Sequence, residues 1–496
     1  MIASIISVIS EALETPPPSR RIRSYVPGQA DGSDLRPWTE GIDRGGRNLC
    51  RRADGSDRAP KMEDEEMTLR KHVSLNINVR GVEPSPTLAI NERCKLLESQ
   101  GERVANLGLG QSPFPVPTPV VNALRLYASE KDYLPVKGLP ALREAVADFH
   151  RRKDGVSASP ENVLVGPGSK ELMFLLQLVY YGEIIVPTPA WVSYVPQAQI
   201  LGKKVRLLHT TFDDKWHITS ERLARFLEGE QDVYRPRILV LNYPGNPDGL
   251  TYSPEELEEI ASVAREYELV LLSDEIYGQL HHRGEHVSVA RFYPEGTIIS
   301  SGLSKWCGAG GWRLGTFTFP PDMDWLLEAM AAVASETYTS VSAPIQFAAV
   351  QAFRGGIAIE RYLWHARRIL STLGSEFYAV LREAGARVHA PEGGFYLFVD
   401  LSPLADRLSR RGIQDGATLC ERLLADRKVA ILPGSAFGRP NRELSARIAY
   451  VNFDGSKALA ASETIPLHQK LPEDFMNQIC NETISAAGEM ASWLGE

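Results

Sequence analysis

From about residue 85 onward, short runs of β-branched and aliphatic residues alternate with stretches whose apolar positions recur every three or four residues. ENVLVGPGSKELMFLLQL (161–178) reads as strand, glycine turn and helix, and IIVP (184–187) as the next strand. RPRILVLNYPGNPDG (235–249) is a strand that runs into a loop of Pro, Gly and Asn. SPEELEEIASVAREYE (253–268) predicts a capped helix, with Ser253 at the N-cap, Pro254 in the first turn and Glu256 closing a capping box. Its apolar face is Leu257, Ile260, Ala261, Ala264 and Tyr267. LVLLSDEIY (269–277) and TIISSGLSK (297–305) are further strands that end in polar residues. This alternation predicts an α/β fold with a mainly parallel sheet flanked by helices. In such sheets ligands bind beyond the carboxyl ends of the strands. Asn246, Asp274 and Lys305 stand at three of those ends.

After about residue 355 the pattern changes. A long helix (Glu360 to Ala384) precedes GGFYLFVDL, another helix, VAILPGSAFG, ARIAYVNFD and a last helix near 473–494. This predicts a smaller α+β domain. Residues 15–66, rich in Pro, Gly, Arg and Asp, carry no periodicity, and we read 1–66 as a disordered extension. The alternative is that the chain starts at Met67. The expected division is 67–112 as an N-terminal arm with part of the small domain, 113–355 as the large domain and 356–496 as the C-terminal small domain.

Composition narrows the function class. The net charge of −8 argues against nucleic acid, which needs a basic face. The apolar stretch Ile2–Ile9 is too short to span a bilayer and lacks a basic region before it. The five cysteines are scattered without ligand or redox spacing, which points to reduced thiols in the cytoplasm. The alternative is an organelle address in the extension, whose Arg content suggests a transit peptide while its many acids speak against one. The adjacent His281 and His282 also lack ligand spacing; we read them as an exposed loop, and no metal site is expected.

The chemistry concentrates around Lys305, set among small residues that let a bulky group approach its amine. Desolvation lowers a lysine pKa and frees a carbonyl-trapping nucleophile. Pyridoxal phosphate (PLP) chemistry needs such a lysine, a carboxylate for the pyridine nitrogen, phosphate donors and a ring-stacking side chain. GLSKWCGAGGWRLG (302–315) resembles the cofactor-attachment signature of the class I aminotransferases. NYPGNPDG, SDEIYGQL, PTPAWVSY and YLPVKGLPALREAV resemble four further motifs of that family, in the family's order. The resemblance runs from about Pro84 to the C-terminus and implies a fold type I PLP-dependent transferase.

The resemblance assigns roles residue by residue. Lys305 would hold PLP as a Schiff base and then carry the proton between substrate and cofactor. Asp274 would keep the pyridine nitrogen protonated, and Asn246 and Tyr277 would hydrogen-bond the ring's phenolic oxygen. Trp191 would stack on the ring. Gly168, Ser169, Lys170, Ser304 and Arg313 would surround the phosphate, joined by Tyr133 from the second subunit of a homodimer with shared active sites. Arg447 and Gly110 would receive the substrate α-carboxylate, beside Trp191 and Asn246. Lys170, with Ser85 and Thr87, matches the distal-carboxylate donors of the bacterial aspartate and aspartate/prephenate aminotransferases. That implies transfer between aspartate or glutamate and a 2-oxo acid, with prephenate also admitted. The alternatives are an aromatic or alanine-type specificity, or a PLP-dependent lyase of the same fold. The chain departs from the family pattern at Gln111 and Ser112, at Asp248 in place of the usual Thr, and at Gly302, whose missing hydroxyl Ser301 or Ser304 would replace.

Overall fold

The computed structural model describes residues 74–229 and 235–496. The extension expected over 1–66, with Cys50, lies outside the described residues. The strands are β1 (Ala105–Asn106), β2 (Val163–Gly166), β3 (Glu183–Thr188), β4 (Val205–His209), β5 (Arg237–Asn242), β6 (Val270–Asp274), β7 (Thr297–Gly302) and β8 (Gly315–Thr318), followed by β9 (Tyr396–Asp400), β10 (Val429–Ala430), β11 (Leu432–Pro433) and β12 (Ser445–Ala449). Seven of them form one sheet in the order β2-β8-β7-β6-β5-β3-β4. Its strands are parallel except β8, which runs antiparallel to both neighbours.

Alternation along each strand explains why these segments read as continuous apolar runs. In β3 and β5, Ile184, Val186, Ile238 and Val240 join one apolar layer with Leu172, Leu176 and Leu326 of the helices Ser169–Val179 and Asp324–Ser335. Ile185, Leu239 and Leu241 join the opposite layer with Leu223 of the helix Ser220–Glu228 and with Leu257 and Ile260. Both faces are covered, so the central positions of these strands are apolar, and polar residues such as Glu183, Arg237 and Asn242 fall at the strand ends. The helix Pro254–Glu266 starts as predicted. Ser253 N–H donates to Glu256 Oε2 at 2.7 Å, and Glu256 N–H donates to Ser253 Oγ at 3.2 Å. That box sets where the helix begins, worth about 1 kcal/mol. Burial of Leu257 and Ile260, about 1.5–3 kcal/mol each, decides where it packs.

The register brings the polar strand ends together. Asn242 of β5 pairs with Asp274 of β6, which pairs with Ser300 of β7. The three strand ends carrying Asn246, Asp274 and Lys305 are therefore neighbours in the middle of the sheet.

The second sheet is antiparallel, β11-β12-β9, and β1 pairs in parallel with β10. Two expectations change here. The last helix is two helices, Phe475–Ile479 and Asn481–Gly495, separated at Cys480, whose φ of −116° and ψ of 28° interrupt the spiral. His281 and His282 are buried, not in an exposed loop. Their turn packs against the approach to β9, with His281 bridging Gly393 and the His282 ring facing the carbonyls of Pro391 and Gly394 at 3.1 and 3.3 Å. Burial pulls both imidazoles down to about 4. No helix among the described residues is long and apolar enough to cross a membrane.

Candidate active site

A cavity of about 510 Å³ opens where β5, β6 and β7 end. Lining it are Gly110, Ser169, Lys170, Trp191, Asn246, Asp274, Tyr277, Ser304, Lys305, Arg313, Arg447 and Thr87. Three of the residues singled out from the sequence stand apart from the lining. Ser85 backs Thr87, their hydroxyls 2.9 Å apart. Gly168 lies behind Arg313. Tyr133 is 90% exposed.

Lys305 follows β7 by three residues, and its amine donates to the Gly110 carbonyl at 2.7 Å. Burial pulls the amine from the usual 10.5 to about 7; the Arg447 charge adds to this and the Asp274 carboxylate opposes it. Burial thus favours the uncharged, nucleophilic amine far more than in a solvated lysine.

Asp274, the last residue of β6, is buried. It accepts from Tyr194 Oη at 2.7 Å and from Ser300 Oγ at 3.2 Å. Burial nonetheless pushes its carboxyl up to about 6. Asn242 ties this strand end to the next loop. It donates to the Asp274 carbonyl at 2.8 Å and accepts from the Asn246 N–H at 2.8 Å. Across the cavity Arg447, from β12, is buried among Asn246, Tyr396 and Phe437. One guanidinium nitrogen donates to Asn246 Oδ1 at 3.2 Å and another to the Gly108 carbonyl, while Nε has no hydrogen-bond partner among the described residues.

At the mouth, Gly168 caps the helix Ser169–Val179 with φ of +93°. A Cβ there would collide with the Arg313 guanidinium. Arg313 itself adopts the left-handed conformation, φ +55°, a strain of order 1–3 kcal/mol for a non-glycine residue. Its guanidinium donates to the Gly310 and Pro167 carbonyls at 3.0 and 3.3 Å, which sets it beside a helix N-terminus, where two sources of positive potential meet. Lys170 is exposed at the rim, with its amine 5.1 Å from the Trp191 ring centre. Partial burial and the Arg313 charge lower its pKa.

This donor set fits PLP. Asp274 is a buried anion and Arg447 a buried cation, and neither makes an ion pair among the described residues. Burying a charge without an ion-pair partner costs several kcal/mol, against a total folding stability of about 5–15 kcal/mol. Such charges suit a ligand that brings a cationic ring nitrogen to one and a carboxylate to the other. The helix N-terminus with Ser169 and Arg313 suits a phosphate.

The structure adds residues that the sequence reading did not assign. Tyr194 and Ser300 hold Asp274, and Tyr396 contacts both Tyr277 and Arg447. Among the departures, Ser304 lines the cavity whereas Ser301 is buried in β7. Gln111 lines the cavity and Ser112 is buried. The Asp248 carboxylate turns back on its own loop, accepting from Leu250 N–H at 2.8 Å.

Comparison with known proteins agrees with this geometry. The family model for aminotransferase class I and II matches residues 102–460. The chain is 32% identical to an aspartate aminotransferase of Bacillus sp. (strain YM-2), over 75% of this chain and 93% of that one. It is 33% identical to the aspartate/prephenate aminotransferase of Thermus thermophilus, over 73% of this chain and 91% of that one. Among solved structures, the Thermus thermophilus aspartate aminotransferase with maleate superposes with a TM-score of 0.72 at 29% identity, covering 85% of this chain and 99% of that one. An α/β sheet with this site at its strand ends, in a chain so matched, is a fold type I transaminase that uses PLP: the protein belongs to the class I and II aminotransferases.

Proposed function

We propose that the enzyme transfers the amino group of aspartate or glutamate to a 2-oxo acid, 2-oxoglutarate or oxaloacetate, as a cytoplasmic homodimer. One observation carries the substrate choice: Lys170 and Thr87 border the same cavity as Arg447 and Lys305. A dicarboxylic substrate needs two cationic ends, and this cavity has them. The related Thermus enzyme was solved with maleate, itself a dicarboxylate.

Bound in the cavity, PLP supplies an electron sink for the pair of electrons left at the substrate Cα. The residues of this chain do the rest. Lys305 would attach the cofactor through its amine and would be the base that moves the Cα proton. The Asp274 carboxylate holds a proton at the pyridine nitrogen, with Tyr194 and Ser300 fixing the carboxylate's orientation. Asn246 and Tyr277 donate to the phenolic oxygen. Trp191 covers the ring, and Gly168, Ser169, Lys170, Ser304 and Arg313 receive the phosphate. Arg447 binds the α-carboxylate beside Gly110, and Lys170, Thr87 and Ser85 bind the distal one.

Support for the dimer comes from the exposure of Tyr133 (90%), Tyr181 (84%) and Leu126 (71%), large side chains that a second copy would cover. Tyr133 is assigned to the partner's phosphate. Support for the cytoplasm comes from the buried free thiols Cys94, Cys307, Cys420 and Cys480. The domain division at 113 and 356 belongs to the same reading. The large sheet lies wholly within 163–318, and β1 pairs with β10 of the C-terminal part.

The test is kcat/KM for aspartate, glutamate, phenylalanine and alanine in wild type and Lys170→Ala. With PLP saturating, losing a charge-assisted contact to the distal carboxylate should lower the values for aspartate and glutamate about 10- to 100-fold relative to those for phenylalanine and alanine, whatever Lys170 also contributes to the phosphate. A variant that handles aspartate as wild type does, or a wild type that prefers alanine, overturns the dicarboxylate reading.

A further inference from the structure

Tyr396 opens β9 in the small sheet, yet its side chain lines the cavity built by the large one. It is buried, 1% exposed. Its hydroxyl lies 2.7 Å from the Tyr277 hydroxyl. Its ring lies under the Arg447 guanidinium, 4.9 Å from ring centre to Cζ. A Cβ at Gly110 would overlap the same hydroxyl, so the Tyr396 oxygen rests on the backbone whose carbonyl accepts from Lys305. One side chain therefore touches the tyrosine assigned to the cofactor, the arginine assigned to the substrate and the glycine that holds the lysine.

The proton count of the tyrosine pair decides what this contact does. Burial raises both phenols above their ordinary pKa, so each keeps one O–H. One of those hydrogens lies between the two oxygens and the other is free. If Tyr277 donated to Tyr396, it would have no proton left for an acceptor in the cavity. If Tyr396 donates to Tyr277, the Tyr277 proton is free to reach an anionic oxygen. The second arrangement is also the stronger donor, because a hydroxyl that accepts one hydrogen bond donates better in the next. The Arg447 charge above the Tyr396 ring acts in the same sense, since a nearby cation strengthens a phenol as a donor.

We propose that Tyr396 is a positioning residue of the transamination site: its hydroxyl donates to Tyr277, turning and polarising the Tyr277 O–H toward the cofactor's phenolic oxygen. The proposal rests on the assignment of Tyr277 to that oxygen. Hydrogen bonds to the phenolic oxygen draw off negative charge that otherwise stabilises a proton on the bond between cofactor and Lys305. Weakening them should raise the pH at which that proton is lost.

The experiment is a spectrophotometric pH titration of bound PLP in wild type, Tyr277→Phe, Tyr396→Phe and the double variant, with apoenzyme melting as a check on folding. Phenylalanine keeps the ring under Arg447 and removes only the hydroxyl. For Tyr396→Phe the titration midpoint should move upward, by less than in Tyr277→Phe. kcat should fall about three- to tenfold at nearly constant KM, and the melting temperature should be little changed. In the double variant the midpoint should match that of Tyr277→Phe alone. A midpoint moved by Tyr277→Phe but not by Tyr396→Phe overturns the proposal and leaves the Tyr277 assignment standing. Additive shifts overturn it too, since Tyr396 would then act independently of Tyr277. If neither variant moves the midpoint, the Tyr277 assignment fails and the proposal fails with it.

Discussion

Lys305→Ala protein is expected to take up PLP without attaching it covalently and to lose turnover by more than about 10⁴-fold. A positioned acid–base group alone supplies about 10²–10⁴, and here the same amine is also the attachment point. Retention of the cofactor follows from the groups that remain, since Asp274, Ser169 and Arg313 line the cavity independently of Lys305. Reduction of the wild-type holoenzyme with borohydride should leave the cofactor's mass on the peptide carrying Lys305. Its appearance on any other lysine would remove the basis of the whole site assignment. The pH dependence is a second check. Only the uncharged amine attaches the cofactor, and burial places the amine near 7. Covalent uptake by wild-type apoenzyme should therefore accelerate as pH rises through about 7 and level off above it. A rate still climbing between pH 9 and 10 would mean that the amine keeps the pKa of a solvated lysine.

That lysine was legible because its signal is local. Attachment lysine, small neighbours and arginine lie within fourteen residues, and each strand-end motif is likewise one short segment. The supports of the site are the reverse. Tyr194 reaches Asp274 across 80 positions, and Tyr396 reaches Tyr277 across 119. No pattern along the chain marks a tyrosine as a partner of a residue so distant; only the meeting of β9 with the ends of the large sheet creates the contact. His281 and His282 follow the same rule. Their neighbourhood in sequence is polar, and their burial comes from packing against Glu392–Gly394. The break at Cys480 had no proline or glycine to announce it. One helix start, by contrast, was readable because Ser253 and Glu256 close a local box on each other.

Asp274→Asn tests the other end of the cavity, and its two expected effects have opposite signs. The amide keeps the shape of the carboxylate, and the hydroxyls of Tyr194 and Ser300 can rotate to meet it as donor or acceptor. Cofactor binding should survive. The amide cannot hold a proton at the pyridine nitrogen, however, so electron withdrawal from Cα is lost in the step that needs it most. Removal of an electrostatic contact that strengthens toward the transition state typically costs about 10²–10³ in kcat, and a loss of at least that size is expected. Near-normal turnover would mean that another group serves the nitrogen. Stability of the apoenzyme should move the other way. Burial raises the Asp274 carboxyl from 3.8 to about 6, so the folded protein favours its protonated form. That preference stabilises the wild type fully below 3.8 and is lost as pH rises through 6. At roughly 1.4 kcal/mol per pKa unit the loss is of order 3 kcal/mol. The amide of the variant does not titrate. The apo variant should therefore gain in melting temperature over wild type as pH rises from about 4 to 8, even as its turnover collapses. A difference in melting temperature that stays flat across this range would show that Asp274 is not an uncompensated buried charge in the apoenzyme, and the fit of a cationic ring nitrogen would lose its physical basis.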